Sequence, residues 1–298
     1  MSHSTSIAEA AAAIRDGKLV AFPTETVYGL GANALDPAAV ARAFEAKNRP
    51  RHSPLIVHVD SIPMARRFAA EWPAAAEKLA QRYWPGPLTL VVRKTREIPD
   101  IVTAGLATVG LRVPAHPLAL ELIRQAGVPI AAPSANRFTE LSPTAAQHVS
   151  ETLADFVLDG GPARVGIEST VLSLDGPATL LRPGVIPLPE IDALIGPVQV
   201  AQAPIDGPHA APGMHRRHYR PKTPLYLLTR DDAPPPGHGV WLRLGQEMPA
   251  NPARYAAALY DTLHRLDHEG LDWIAVERPP ATPDWAGVLD RLLRAAER

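Results

Sequence analysis

The chain has 298 residues, enough for two domains or for one large and one small, with room for a proper apolar core. Thirty Lys and Arg face thirty-one Asp and Glu, so no global field draws the molecule unspecifically onto nucleic acid or anionic membrane, and the cations that matter are local. Cysteine is absent, which excludes disulfides and thiol chemistry and fits a reducing cytosol.

The apolar runs stop short of a membrane span, and the N-terminal "MSHSTSIAEAAAAIRDGK" carries Arg and Asp where a signal peptide is apolar, so the chain reads as cytoplasmic. Ser6 is placed to cap a helix through Ile14, followed by the strand "KLVAF"; Asp36 and Pro37 form a cap and first-turn pair for a helix to about Ala46. "PLIVHV" reads as a strand, and helical patterns follow at Ile62 to Ala70 and Ala74 to Tyr83. "PLTLVV", "TVGLRV", "PIAAPS", "FVLDG", "STVLSL" and "ATLLRP" are further short strands, with helices at Pro117 to Gln125 and Thr144 to Ala154 among them. This order predicts an α/β (α+β) domain, a twisted mixed sheet flanked by helices, over residues 6–195. From Gly196 to Pro224 the chain is dense in Pro, Gly and His without a sustained period, which reads as a linker. "PLYLL", "GVWLRL", a helix from Pro252 to His268, "LDWIAV" and a last helix then predict a small Rossmann-like domain over 225–298.

Several polar groups stand at strand ends. "FPTETVYGLGANA", Phe22 to Ala34, places Thr24 and Thr26 and a Gly-x-Gly pair after a strand. A dinucleotide fingerprint needs a third glycine where Ala34 stands, and a P-loop needs Gly-Lys-Ser or Gly-Lys-Thr, which the chain lacks. A polar strand end remains, or an ordinary tight turn. Lys47, Arg49 and Arg51 crowd the entry to the strand holding His58; they are either a solvated helix end or, with Pro50 and Pro54 stiffening the connection, donors arrayed for polyphosphate or carboxylate. His58 alone on a strand reads as structural. "APSANRFTELSPT" offers Ser134, Asn136, Ser142 and Thr144, either a Ser/Pro-rich loop or a surface that a ligand approaches closely. "VGIEST", Arg112 and Arg182 add polar groups at further strand ends, while "HRRH", His215 to His218, lacks the further ligands a zinc site needs. Hydroxyls, amides and arginines without an evident nucleophile suit positioning and electrostatic catalysis, as in phosphoryl or nucleotidyl transfer.

"FPTETVYGLGANA", "AKNRPRHSPLIVHV", "WPGPLTLVV", "TVGLRVPAHP", "PIAAPSAN", "LSPTAA", "GIESTVL" and "LLRPGVI" follow one another as in the Sua5/YrdC/YwlC family, the threonylcarbamoyl-AMP synthases, which the chain resembles over nearly all of residues 6–190. The Lys-x-Arg plus Ser-x-Asn signature falls on Lys47, Arg49, Ser134 and Asn136, and "APGMHRRHYRPKTPLYLL" resembles the linker of the Sua5 type with its extra C-terminal domain, except that Ala211 stands where serine is usual and Arg216, Arg217 and Arg220 make it more basic. The resemblance implies a nucleotidyltransferase joining L-threonine, bicarbonate and ATP into L-threonylcarbamoyladenylate with release of pyrophosphate. Mg2+ would be held through the ATP phosphates and not by protein side chains. The product would pass to a tRNA threonylcarbamoyl transferase complex that modifies adenosine 37, tRNA not being needed for this step. Lys47 and Arg49 would be catalytic and, with Ser53, Thr108, Ser134, Asn136, Ser142, Arg182 and Tyr219 of the linker lid, bind ATP. Thr24, Thr26, His58, Arg112, Ala132 and Ser169 would bind threonine. Two other readings stay open: an RNA-binding module without ATP turnover, which near-zero net charge disfavours, and a carbamoyl-adenylate enzyme acting on another amine.

Overall fold

A computed structural model describes residues 6–201 and 218–297. In chain order the elements are α1 (Ile7–Arg15), β1 (Val20–Phe22), β2 (Gly29–Asn33), α2 (Pro37–Lys47), β3 (Ile56–His58), α3 (Ile62–Phe68), α4 (Ala74–Tyr83), β4 (Leu88–Arg93), α5 (Asp100–Thr103), β5 (Thr108–Arg112) and α6 (Pro117–Ala126). There follow β6 (Ile130–Ala131), β7 (Phe156–Val157), β8 (Thr170–Ser173), β9 (Thr179–Arg182), α7 (Leu188–Ile195), β10 (Gln199–Val200), β11 (Leu225–Leu228), β12 (Gly239–Leu242), α8 (Pro252–Leu266), β13 (Trp273–Glu277) and α9 (Ala286–Ala296).

Local chemistry explains the helix starts. Ser6 caps α1 by accepting Glu9 N–H, Asp36 accepts Ala38 N–H at 2.9 Å beside Pro37, and Asn251 accepts Arg254 N–H at 3.0 Å at the start of α8. α2 stops at Asn48, whose left-handed backbone turns the chain out of the helix immediately after Lys47. The helix expected over Thr144 to Ala154 does not form. Only a single 3-10 turn, Ala146–His148, is present, since the His148 ring accepts the Thr144 N–H and Val149, Ser150 and Thr152 are weak helix formers, the last two bonded to each other.

Ten strands form one mixed sheet in the order β10-β9-β8-β4-β5-β3-β6-β2-β1-β7, and β11-β13-β12 form a separate, wholly parallel sheet. Helices α2 to α5 and α7 close a large apolar core over the central strands, while α1 and α6 pack together with β1 and β6. The second sheet is covered by α8 and α9. The stripe Tyr255, Leu259, Leu263 and Leu266 of α8 recurs every three or four residues and is buried in a cluster that also takes in Val27, Leu141 and Ile167 of the large sheet's loops. The two layers meet backbone to backbone: a Cβ on Gly287 of α9 would lie 2.4 Å from the Gly184 carbonyl oxygen, and one on Gly166 would lie 2.3 Å from that of Ala256 in α8. β10 extends the large sheet into the region read as linker, most of which (202–217, with Ala211, His215, Arg216 and Arg217) lies outside the described residues.

Candidate active site

A cleft lies against one face of the large sheet. Ile56 and His58 of β3 both line it, as alternate residues of a strand must if one does, while Val57 between them points into the core. His58 pairs in register with Arg112 of β5, so the imidazole and the guanidinium stand side by side. The β1–β2 loop contributes Thr24, Thr26 and Val27, the segment after β6 contributes Ala132, Pro133 and Ser134, and Glu168, Ser169, Arg182, His218 and Tyr219 close the far side with Arg49. Gly29, Ile56, His58, Arg112 and Arg182 are terminal residues of their strands, and the other lining residues lie in the loops that adjoin strands or helices.

The cations at the start of β3 part company. Lys47 is 1% exposed and donates from Nζ to the carbonyls of Ser134 and Asn136, bracing the loop that carries both. Burial, then the charge of Arg49, holds its pKa well below the usual lysine value. Arg49 donates to Ser53 Oγ at 2.5 Å and to Pro54 O at 3.2 Å, lies over the Phe138 ring and lines the cleft; burial brings its pKa down to about 10. Arg51 is no third clamp: its side chain is 67% exposed and pairs with Glu45 at 3.5 Å on the outer surface. Asn48 turns the chain sharply between the first two cations, and the next residues run through a solvent-facing turn.

At the other end, Arg112 donates to Glu25 Oε1 at 2.7 Å and to Gly86 O at 3.2 Å, and Glu25 Oε2 accepts Ala115 N–H at 2.9 Å. Both members of this ion pair are buried. Burial, with the Arg112 charge beside it, pushes the His58 pKa down to about 3, so the ring is neutral. Its Nδ1 is buried without a hydrogen-bond partner among the described residues, as is the hydroxyl of Tyr219, and both side chains line the cleft. Thr24 Oγ1 donates to Val27 O at 2.6 Å; a hydroxyl has one proton, so in the 2.8 Å contact between the two threonines Thr26 is the donor, and its lone pairs remain for a cation.

Arg182 wraps Ser169, donating to its carbonyl at 3.0 Å and its Oγ at 3.1 Å, while Ser169 Oγ also bonds Thr89 Oγ1 at 2.8 Å. Ser142 donates to Glu168 Oε1 at 2.5 Å, and Asn136 holds the carbonyls of Arg137 and Glu140 at 2.9 Å each. Beside this loop Arg220 N–H donates to Thr139 O at 2.9 Å, and Tyr219, with a left-handed backbone, lines the cleft. Lys47, Ser53, Asn136 and Ser142 thus stand directly behind the wall that their neighbours line. Thr108 lies elsewhere, in a narrow hollow with Thr89, Thr103 and Val109 that shares only Ile56 with the cleft. Sequence reading passed over Glu25 and Glu168. Both are carboxylates inside segments chosen for their hydroxyls, and the signal was there: an acid flanked by apolar and small residues, unpaired locally, needs a distant cation once buried. Among the described residues no group of three His, Asp or Glu could hold a metal ion.

A mixed sheet with buried arginines, hydroxyls and a neutral histidine gathered in one cleft defines an α/β protein with a cationic site of small-molecule size. The chain belongs to the Sua5/YciO/YrdC family: that family, described as "Telomere recombination", matches residues 12–184, and the family described as "Threonylcarbamoyl-AMP synthase, C-terminal domain" matches residues 186–297. Among curated relatives are the threonylcarbamoyl-AMP synthases of Pyrococcus abyssi, 51% identical over 74% of this chain and 66% of that protein, and of Bacillus subtilis, 41% identical over 97% and 92%. The crystal structure of P. abyssi Sua5 complexed with L-threonine matches with a TM-score of 0.91 at 40% identity, covering 97% of this chain and 94% of that one.

Proposed function

We infer that this chain is an L-threonylcarbamoyladenylate synthase, condensing L-threonine, bicarbonate and ATP with release of pyrophosphate as the first step toward threonylcarbamoylated tRNA. One observation carries the reading: side chains spread from Thr24 to Tyr219 share a single cleft, cationic toward Arg49 and Arg182 and built for an amino acid toward Arg112, His58 and Thr26. The relatives' names and the threonine complex of P. abyssi Sua5 support the same substrate.

In this reading Arg49 and Arg182 clamp the triphosphate, with Lys47 supplying charge from behind the Ser134–Asn136 loop, Ser53 fixing the Arg49 fork, and Ser134, Asn136, Ser142 and Tyr219 shaping the nucleotide wall. Thr108 joins this set where the nucleoside runs past Ile56 into the adjoining hollow. Threonine's carboxylate takes the free edge of Arg112, its ammonium the lone pairs of Thr26 beside Thr24, and its remaining polar atoms His58 and Ser169, with Ala132 packing below. The bound ammonium gives one proton to bicarbonate, which breaks down to CO2 and water; the amine adds to CO2 and loses a second proton to solvent to give the carbamate, and a carbamate oxygen then displaces pyrophosphate from the α-phosphorus. The protein's share is to hold these reactants in line and to stabilise charge on the leaving pyrophosphate. Mg2+ would enter as part of the nucleotide substrate and would help to neutralise charge on the leaving pyrophosphate. Burial of Tyr219 suits a lid that keeps water from the labile carbamate. We assign residues 6–195 to the catalytic domain, 196–224 to the lid and linker, and 225–298 to a companion domain, and we place the reaction in the cytoplasm, with a tRNA threonylcarbamoyl transferase complex as the acceptor.

The test is direct. Purified protein incubated with ATP, bicarbonate and threonine yields threonylcarbamoyl-AMP by mass detection and one pyrophosphate per product, without tRNA. Pyrophosphate release that does not need threonine, or that runs equally with serine, defeats the assignment.

A further inference from the structure

Glu168 is the only carboxylate among the described residues lining the cleft, and it faces the same space as Arg49, Arg182 and Tyr219. Left bare there, it would repel a triphosphate and compete for the arginines that bind it. What holds it comes largely from the other sheet's helices. Arg291 of α9 donates from Nε to Glu168 Oε2 at 2.7 Å and from Nη2 to the Glu168 carbonyl at 3.2 Å, and Tyr260 of α8 donates to Oε2 at 3.3 Å. Ser142 occupies the other oxygen at 2.5 Å. Arg291 is 1% exposed, and its Nη1 is fixed by Asp290 at 2.8 Å and by Pro183 O at 2.9 Å, the residue following Arg182. Its guanidinium also lies 5.2 Å from the centre of the Tyr219 ring. Burial alone would raise the Glu168 pKa, yet the charges of Arg291 and then Arg182 bring it below the usual carboxylate value, so the group is ionised and its cations decide where it points.

We propose that Arg291, which lies outside the large sheet and does not line the cleft, is a positioning residue for nucleotide binding: it neutralises Glu168 and fixes its direction, so that this acid neither repels the triphosphate nor competes with it for Arg182 and Arg49. The companion domain is then part of the nucleotide site, through one side chain and its partner Tyr260. This inference rests on the nucleotide reading above. Without Arg291, the ionised Glu168 loses its main neutralising partner, and its charge opposes a triphosphate in the same cleft.

The test is calorimetric titration of the full chain with a non-hydrolysable ATP analogue and, separately, with L-threonine, for the parent, Arg291→Met, Glu168→Gln and the double variant, with circular dichroism as the check on folding. Arg291→Met is expected to weaken analogue binding by about ten-fold or more, the scale for stranding one member of a buried charge pair, and to change threonine affinity by less than about two-fold. Adding Glu168→Gln is expected to restore analogue binding to within about three-fold of the parent, the coupling that a double-mutant cycle reads and a merely structural role does not produce. Unchanged analogue affinity in a folded Arg291→Met protein overturns the proposal, and so does a double variant as weak as the single. If Arg291→Met does not fold, the double variant decides alone: near-parent affinity supports the proposal and a ten-fold loss overturns it. A parent chain that binds threonine but not the analogue overturns the nucleotide reading itself, and this inference with it.

Discussion

Replacing Glu25 by alanine removes the carboxylate that holds Arg112 at 2.7 Å and accepts the Ala115 N–H at 2.9 Å. Arg112 is 4% exposed and Glu25 3%, so water cannot take over either role. Stranding one partner of a buried pair costs about 3–5 kcal/mol, a large part of the stability of an ordinary domain. For a chain of this size that corresponds to a fall of about 5–8 °C in the melting midpoint. Threonine affinity falls as well, because Gly86 O alone is left to orient the Arg112 guanidinium. Scanning fluorimetry with and without threonine reads both effects. In the parent, threonine at about 100 times its Kd adds the equivalent of about 2.7 kcal/mol, and the variant shows less at the same concentration. A midpoint that moves by less than about 3 °C, or an undiminished threonine response in the folded variant, shows that Glu25 neither braces Arg112 nor serves the pocket.

Lys47→Ala and Arg49→Ala are each expected to lower pyrophosphate release by about a hundred-fold or more, since preorganised charge supplies most of the catalysis here. Arg51→Ala is expected to leave the same rate within about two-fold, an exposed pair contributing little; a large loss would return Arg51 to the site. Arg112→Ala chiefly raises the threonine KM, and calorimetry giving parental threonine affinity contradicts that role. His58 and His264 have folded pKa values brought down to about 3 and about 4, His58 by burial beside Arg112 and His264 by burial and by His148 stacked 4.0 Å away, with Asp261 and Asp267 facing it. The unfolded chain therefore binds more protons below pH 6.5; the stability due to each ring is complete above that pH and falls toward pH 4 by about 1.4 kcal/mol per pH unit. Urea midpoints at pH 7 and 5 measure this fall, His264→Gln should flatten part of it, and a flat profile in the parent contradicts both assignments. Gly287→Ala drives a methyl to 2.4 Å from the Gly184 carbonyl oxygen and displaces Arg291 one turn further along, so a loss of about 1–3 kcal/mol with weaker nucleotide binding is expected; an unchanged midpoint means the two layers have slack there.

Much of this fold is local and was legible for that reason. Asp36 with Pro37, Ser6, and the apolar stripe of α8 state their helices in the sequence, and α4 and the parallel β11-β13-β12 sheet follow the same patterns. Where local signals were weak the reading failed: Thr144 to Ala154 is irregular, with His148 bonded back to the Thr144 N–H and packed on His264 and Asp261 of α8, and the short helices α5 and α7 were not foreseen. Lys47, Arg49, Ser134 and Asn136 were marked by the family signature, which leaves out Arg51, but nothing in the bare spacing of the three cations separates Arg49, turned into the cleft, from Arg51, turned into solvent two residues later.

The sequence by itself determined the element types, the pool of cations and hydroxyls and the family, because caps, periodicity and ordered motifs depend on neighbours a few residues apart. Only the tertiary structure decided which charges meet. Glu25 finds Arg112 across 87 residues and Glu168 finds Arg291 across 123, and a buried acid has no local signature of the base that will neutralise it until the sheet and its companion helices bring the two together.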